Sequence, residues 1–450
     1  MTALHDAGAD VGARLEATLG RPVERLERLS GGASRETWAF TCGGRDLILR
    51  RDPPGRAAEF GSMALEAAAI GAAAAAGLAV PDVLVVDDGS RLGTAGMVMS
   101  RVGGETMARR ILRDPGFAEA RQALPAQLAG FVAGLHRVAV DAVPGLPEPD
   151  PIGYLEEMYG EVGDASPTFD TALRWLRRHR PDPGGRVIVH GDLRLGNVIV
   201  GPEGLRAVID WELLHVGDPL EDLAWICVKA WRFGAAPEAA GLGTIDELLR
   251  AYEAAGGASV ERSTFDWWLV EKTLQWGIVC MKQGRVHLSG ADRSVELAAV
   301  GRRAAEVEWD LLELLAPGTA PREARPARPP AAVDEPGLYG RPTAEELLEA
   351  AEEFLRSAVA DATGGQVRFH ARVAANVLAI VARQLRAGPE PAARAAAGLE
   401  KLGAASFDEL SARIRAGGFD DREAELHPFL WETVADRLSV ANPRHLGEGG

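Results

Sequence analysis

Short apolar runs punctuated by turn residues fill the first hundred positions, and helical spacing dominates the rest. Residues 26–29, 37–40 and 47–50 read as three strands, separated by Ser30-Gly31-Gly32-Ala33-Ser34 and by a Gly43-Gly44 turn. Pro53-Pro54-Gly55 breaks the pattern, and the spacing then predicts a helix from about 57 to 76, closed by Gly77 and Pro81. Residues 83–86 and 95–101 read as two further strands. The N-terminal part is therefore expected to be an antiparallel sheet with one long helix inserted.

From 105 to 315 the periodicity is helical, interrupted by three β-branched runs at 187–189, 198–200 and 207–209. The candidate catalytic residues sit at the ends of these runs. Residues 316–342 carry repeated prolines and read as a linker, because proline removes a backbone donor and breaks helices. Thr343 followed by Glu345 and Glu346 reads as a helix start, and 343–440 looks wholly helical. The expected domains are thus 1–103, 104–315 and 343–440, with 316–342 as connector.

Composition narrows the function. A net charge of −16 and a pI near 5.2 disfavour nucleic acid and anionic membranes as partners. The apolar run 67–80 is too short to span a bilayer, which takes roughly 20 residues. Three scattered cysteines, Cys42, Cys227 and Cys280, argue for a reducing compartment, and the first twenty residues lack a signal-peptide pattern. A cytoplasmic protein is expected, with a homodimer left open.

The chemistry concentrates in His190-Gly191-Asp192-Leu193-Arg194-Leu195-Gly196-Asn197, followed by Asp210-Trp211-Glu212. Phosphoryl transfer needs a group to orient the attacking hydroxyl and accept its proton, and hard oxygen ligands for Mg²⁺ on the nucleotide phosphates. Asp192 suits the first role, and Asn197 with Asp210 the second. The order repeats the protein-kinase pattern H-R-D-x-x-x-x-N followed by a metal-binding Asp, with Gly in place of Arg and Trp-Glu after the Asp. His190 is expected to hold the loop rather than move protons, and Asp222 to brace it from a helix start. Gly31, Gly32 and Ser34 could bring backbone amides close to phosphates. Arg50, ending a strand, and Glu66, in the following helix, are the candidate nucleotide-orienting pair. Arg51 is Arg50's rival, since alternation puts only one of them on the site face. A metallohydrolase would want clustered histidines, but only nine occur and none are paired as H-x-x-x-H. No Walker-type P-loop is present.

These motifs resemble the aminoglycoside phosphotransferase and choline kinase superfamily, over residues 25–315. The stretches around His190–Asn197, Asp210–Ala224 and Leu47-Ile-Leu-Arg50-Arg-Asp-Pro-Pro-Gly look most like the kinase-like domain fused to certain acyl-CoA dehydrogenases. The resemblance implies an α+β, bilobal protein-kinase-like fold and ATP- and Mg²⁺-dependent phosphorylation of a small-molecule hydroxyl. By analogy the acceptor is a hydroxyacyl-CoA, with an aminoglycoside-like acceptor less expected. The C-terminal segment resembles an uncharacterised helical domain. The competing reading is a pseudokinase that binds nucleotide or acyl-CoA without turnover, supported by Arg50 where kinases place lysine.

Overall fold

The computed structural model describes residues 2–29, 35–54, 61–320 and 341–447. The chain divides into two compact units, Met1–Pro149 with Asp182–Leu269 and Asp150–Pro181 with Val270–Gly450. The expected sites at Gly31, Gly32 and Ser34 lie outside the described residues.

The first unit opens with helix α1 (Thr2–Leu19) and five strands: β1 (Val23–Arg28), β2 (Glu36–Cys42), β3 (Arg45–Arg51), β4 (Val83–Asp88) and β5 (Ala95–Ser100). They form one antiparallel sheet in the order β1-β2-β3-β5-β4, with helix α2 (Met63–Ala75) between β3 and β4 in the chain. Gly43 and Gly44 make a two-residue hairpin turn at φ 57° and 76°, both in the left-handed region where glycine is unstrained. Along β3, Leu47 and Leu49 enter a core with Trp38, Phe40 and Val98, to which α1 adds Val11 and Leu15. Ser62 caps α2 by accepting from the Leu65 amide at 3.2 Å. The start expected for this helix, near residue 57, lies outside the described residues.

Helices α3 (Ala108–Arg113) and α4 (Ala118–His136) follow. Next come α5 (Pro151–Val162) and α6 (Pro167–Arg178), which belong to the second unit. The chain returns as two small antiparallel ladders: β6 (Val187–Val189) with β9 (His215–Gly217), and β7 (Val198–Gly201) with β8 (Gly204–Val208). Helices α7 (Glu221–Cys227) and α8 (Ile245–Ala254) complete the unit's main elements. Helix α1 and strand β9 were not anticipated from the sequence.

In the first unit, α4 and α8 meet at His136 and Tyr252, whose Nδ1 and hydroxyl lie 2.9 Å apart. Burial holds the His136 pKa down to about 4, so the ring stays neutral in the folded chain. An unfolded histidine takes up its proton near pH 6.5, so between there and about 4 the unfolded state binds more protons. The stabilisation is therefore complete above that window and lost as pH falls through it. Urea unfolding between pH 7.5 and 4.5 should show this loss, on the order of 1–3 kcal/mol, flattened in His136→Phe. An unchanged slope would mean that His136 does not titrate this way.

The second unit is helical. Its core joins Trp309 and Leu312 from the helix Ala304–Leu315 to Leu410, Ile414, Leu426, Leu430 and Trp431 from the C-terminal helices. Asp170 of α6 is paired with Arg415 at 2.9 Å, and Arg174 with Asp420. Helices α5 and α6 share a unit with the C-terminal helices. The fold class is α+β, an N-terminal antiparallel sheet followed by a helical remainder. Among the described residues no helix is long and apolar enough to cross a membrane.

Candidate active site

The candidate residues described by the structure all belong to the first unit. The loop between β6 and β7 carries His190, Asp192 and Asn197, and the loop after β8 carries Asp210. The two loops are fastened by the backbone, with the Ile209 amide donating to the Asn197 carbonyl at 2.9 Å.

Three donors converge on Asp192. Arg194 Nε and Trp225 Nε1 reach Oδ1 at 2.9 and 2.8 Å, and Asn197 Nδ2 reaches Oδ2 at 2.6 Å. Asn197 Nδ2 also donates to the Asp192 carbonyl at 2.9 Å, which leaves the carboxamide oxygen as the ligand-capable atom. Arg194 is itself stacked over Trp231, 4.9 Å from the ring centre, a cation–π contact that restrains the guanidinium.

His190 is buried. Its Nε2 faces the Ile209 carbonyl at 3.1 Å and its Nδ1 accepts from the Asp192 amide at 3.2 Å. Those bonds assign the Nε2-protonated tautomer and occupy both nitrogens with the backbone. Asp222 accepts from the His190 and Gly191 amides at 2.8 and 2.9 Å. One helical turn on, Trp225 holds the Asp192 side chain, so one face of α7 braces both the backbone and the carboxylate of the loop. Gly191 has φ 84°, and a Cβ there would lie 2.4 Å from the Leu213 carbonyl oxygen. A bulky residue such as the kinase arginine does not fit at that position.

On the sheet side, alternation sends Arg51 to Glu36 at 2.9 Å and Arg50 to the opposite face. Arg50 Nη1 lies 3.2 Å from Glu66 Oε2, and Nη2 lies 2.9 Å from Glu212 Oε2 and contacts Asp210 Oδ1. Burial opposes the Arg50 charge, but Asp210, Glu66 and Glu212 outweigh it, and its pKa rises. Burial pushes the Glu66 carboxyl up, against the pull of Arg50 and Arg35. Asp210 holds φ 68°, a strained conformation for a non-glycine residue.

The sequence did not single out Arg35, Arg194 or Glu212, nor link Trp225 to Asp192. Each had a signal: Arg35 directly follows the Gly-rich segment 30–34, and Arg194 lies inside the His190–Asn197 motif. Glu212 is two residues past Asp210, and Trp225 is one turn past Asp222. Trp211, by contrast, is a core residue, fully buried with Nε1 donating to the Val208 carbonyl at 3.2 Å.

A five-stranded antiparallel sheet with an inserted helix, an arginine–glutamate pair across them and a largely helical remainder are the features of a kinase-like fold. The chain belongs to the phosphotransferase enzyme family, whose model matches residues 25–264, more than half of its length. Residues 361–445 match a domain of unknown function, DUF6285.

Among curated proteins, the chain is 28% identical over 257 residues to acyl-CoA dehydrogenase family member 10 of Mus musculus, covering 51% of this chain and 24% of that one. It is 28% identical over 266 residues to family member 11 of Homo sapiens, covering 54% and 33%. It thus spans about a quarter to a third of these relatives' length. Two solved structures share the fold. A candidate aminoglycoside phosphotransferase from Ralstonia eutropha aligns at TM-score 0.55 and 21% identity, over 66% of this chain and 97% of that one. A choline/ethanolamine kinase family protein from Mesorhizobium loti aligns at TM-score 0.50 and 23% identity, over 69% and 95%.

Proposed function

We propose that the chain transfers the γ-phosphoryl group of ATP, with Mg²⁺, to a hydroxyl of a small molecule. The observation that carries this reading is the Asp192 carboxylate, aimed by Asn197, Trp225 and Arg194 beside the loop of Asp210.

The donor set fits Mg²⁺. Among the described residues no group of three or more His, Cys, Asp or Glu side chains could hold a metal by itself. Magnesium in phosphotransfer sites is commonly held by one or two protein carboxylates together with substrate phosphates. Asp210 and the Asn197 carboxamide oxygen are hard ligands suited to that shared arrangement. When bound, the ion would neutralise charge on the phosphates and favour in-line displacement.

The chain's own residues do the rest. Asp192 orients the acceptor hydroxyl and takes its proton as the oxygen attacks phosphorus. Arg50, braced by Glu66, supplies the positive field that a chain of net charge −16 must build locally for an anionic nucleotide. Arg50 pairs with both Asp210 and Glu212, so with Asp210 holding a cation its guanidinium would be less tied to the loops and better able to meet phosphate. Gly31, Gly32 and Ser34 belong to the same reading as backbone contacts to the nucleotide. For the acceptor, the relatives named as acyl-CoA dehydrogenase family members support a hydroxyacyl-CoA over an aminoglycoside. A cytoplasmic protein with no nucleic-acid or membrane partner completes the reading, and a homodimer is compatible with it.

A pseudokinase is the second reading, favoured by Arg50's engagement of Asp210 and Glu212. Mass spectrometry of a pool of hydroxyacyl-CoAs and aminoglycosides, incubated with the chain, Mg²⁺ and ATP, separates the two. A gain of one phosphoryl group on a hydroxyacyl-CoA supports the proposal; ATP binding without transfer to any acceptor supports the pseudokinase.

Trp225→Phe keeps the ring packed but deletes the donor to Asp192. Turnover should fall about tenfold, the cost of a hydrogen bond to a charged group, with the nucleotide KM little changed. Steady-state kinetics on the identified acceptor check this. A raised acceptor KM at constant kcat would instead make Trp225 part of the substrate wall.

A further inference from the structure

Arg35 directly follows the Gly-rich segment 30–34 in the sequence, and its side chain is only 4% exposed. Its three guanidinium nitrogens meet three different segments. Nε lies 3.1 Å from Asp52, just past β3, and Nη2 donates to the Gly61 carbonyl at 2.6 Å, just ahead of α2. Nη1 contacts Glu66 Oε1. Glu66, fully buried, therefore gives one oxygen to Arg35 and the other to Arg50.

One arginine would be enough to pair a buried carboxylate. Arg50, however, divides itself between Glu66 and the loop carboxylates Asp210 and Glu212. Arg35's three contacts lie on the sheet-and-helix side, so it can hold Glu66 whichever way Arg50 turns. We infer that Arg35 is a positioning residue for the nucleotide site: it fixes Glu66 Oε1 so that Oε2 stays aimed at Arg50 as Arg50 moves from Asp210 to phosphate. Through Asp52 and Gly61 it also sets the spacing between the end of β3 and the start of α2. The inference rests on the phosphotransferase reading.

A double-mutant cycle on the full chain tests it, with ATP affinity measured by isothermal titration in the presence of Mg²⁺. Arg35→Met and Glu66→Gln should each weaken ATP binding about tenfold, and the double variant should bind no worse than either single one. Arg35→Lys should recover only part of the loss, because a single ammonium cannot span the three partners. Urea unfolding of each variant separates global stability from this coupling. If Arg35→Met does not fold, the cycle is run with Arg35→Lys. Losses that simply add, in a wild-type chain that binds ATP, overturn the inference alone. A wild-type chain that does not bind ATP overturns the phosphotransferase reading and this inference with it.

Discussion

Asp192→Asn should lower turnover on the phosphoryl acceptor on the order of 10²–10⁴-fold, the usual cost of losing a positioned proton acceptor. The substitution is nearly isosteric, so its effect is chemical. It has a local component as well. Arg194 Nε, Trp225 Nε1 and Asn197 Nδ2 all point at the carboxylate, and a carboxamide in either orientation turns a donor toward another donor. The loop therefore loses part of its brace along with the proposed base. Nucleotide affinity reads out separately: it should stay near the wild-type value, since the Arg50–Glu66 pair is untouched. A variant that lost ATP binding and turnover in parallel would show that Asp192 serves the nucleotide rather than the hydroxyl.

Asp210→Asn has the second largest expected effect. It removes the carboxylate proposed to hold Mg²⁺ and breaks one of Arg50's contacts with the loops. Turnover should drop on the order of 10²–10³-fold, and the Mg²⁺ dependence of ATP binding should weaken. Arg50, no longer held by the Asp210 charge and tied to the loops by Glu212 alone, meets phosphate more readily, so metal-free ATP should bind at least as well as to wild type. Titrating ATP with and without Mg²⁺ checks both statements. A variant with wild-type Mg²⁺ dependence would move the metal away from Asp210.

The motif carried the geometry that it did because its spacing is a backbone property. Asp192 and Asn197 lie on one short loop between strands, and Asp210 ends the next ladder, so chain order alone brings them near one another. Arg50 and Glu66 were legible for a similar reason: strand alternation and helix position fix which way each points. Trp225 was harder, since its indole reaches Asp192 across 33 residues and reads equally well as core. Arg35 was hidden because its partners Asp52, Gly61 and Glu66 meet only when sheet and helix pack.

Helix α1 escaped notice for a physical reason. Gly8 and Gly12 weaken its intrinsic helix signal, while its stabilising contacts, Val11 and Leu15 in the sheet core, are tertiary. The division into units was likewise invisible along the chain. Trp309 before the proline-rich stretch and Trp431 after it share one core, with ring centres 4.7 Å apart. Packing, not position along the chain, decides which elements belong together.

The most direct test sets wild type beside Asp192→Asn in one experiment: ATP, Mg²⁺ and the acceptor pool, followed by mass spectrometry for transfer of a single phosphoryl group. The geometry predicts a phosphorylated hydroxyl product with wild type, and its near-complete loss with the variant while ATP binding persists. Equal product from both chains, or binding without product from either, would contradict the account.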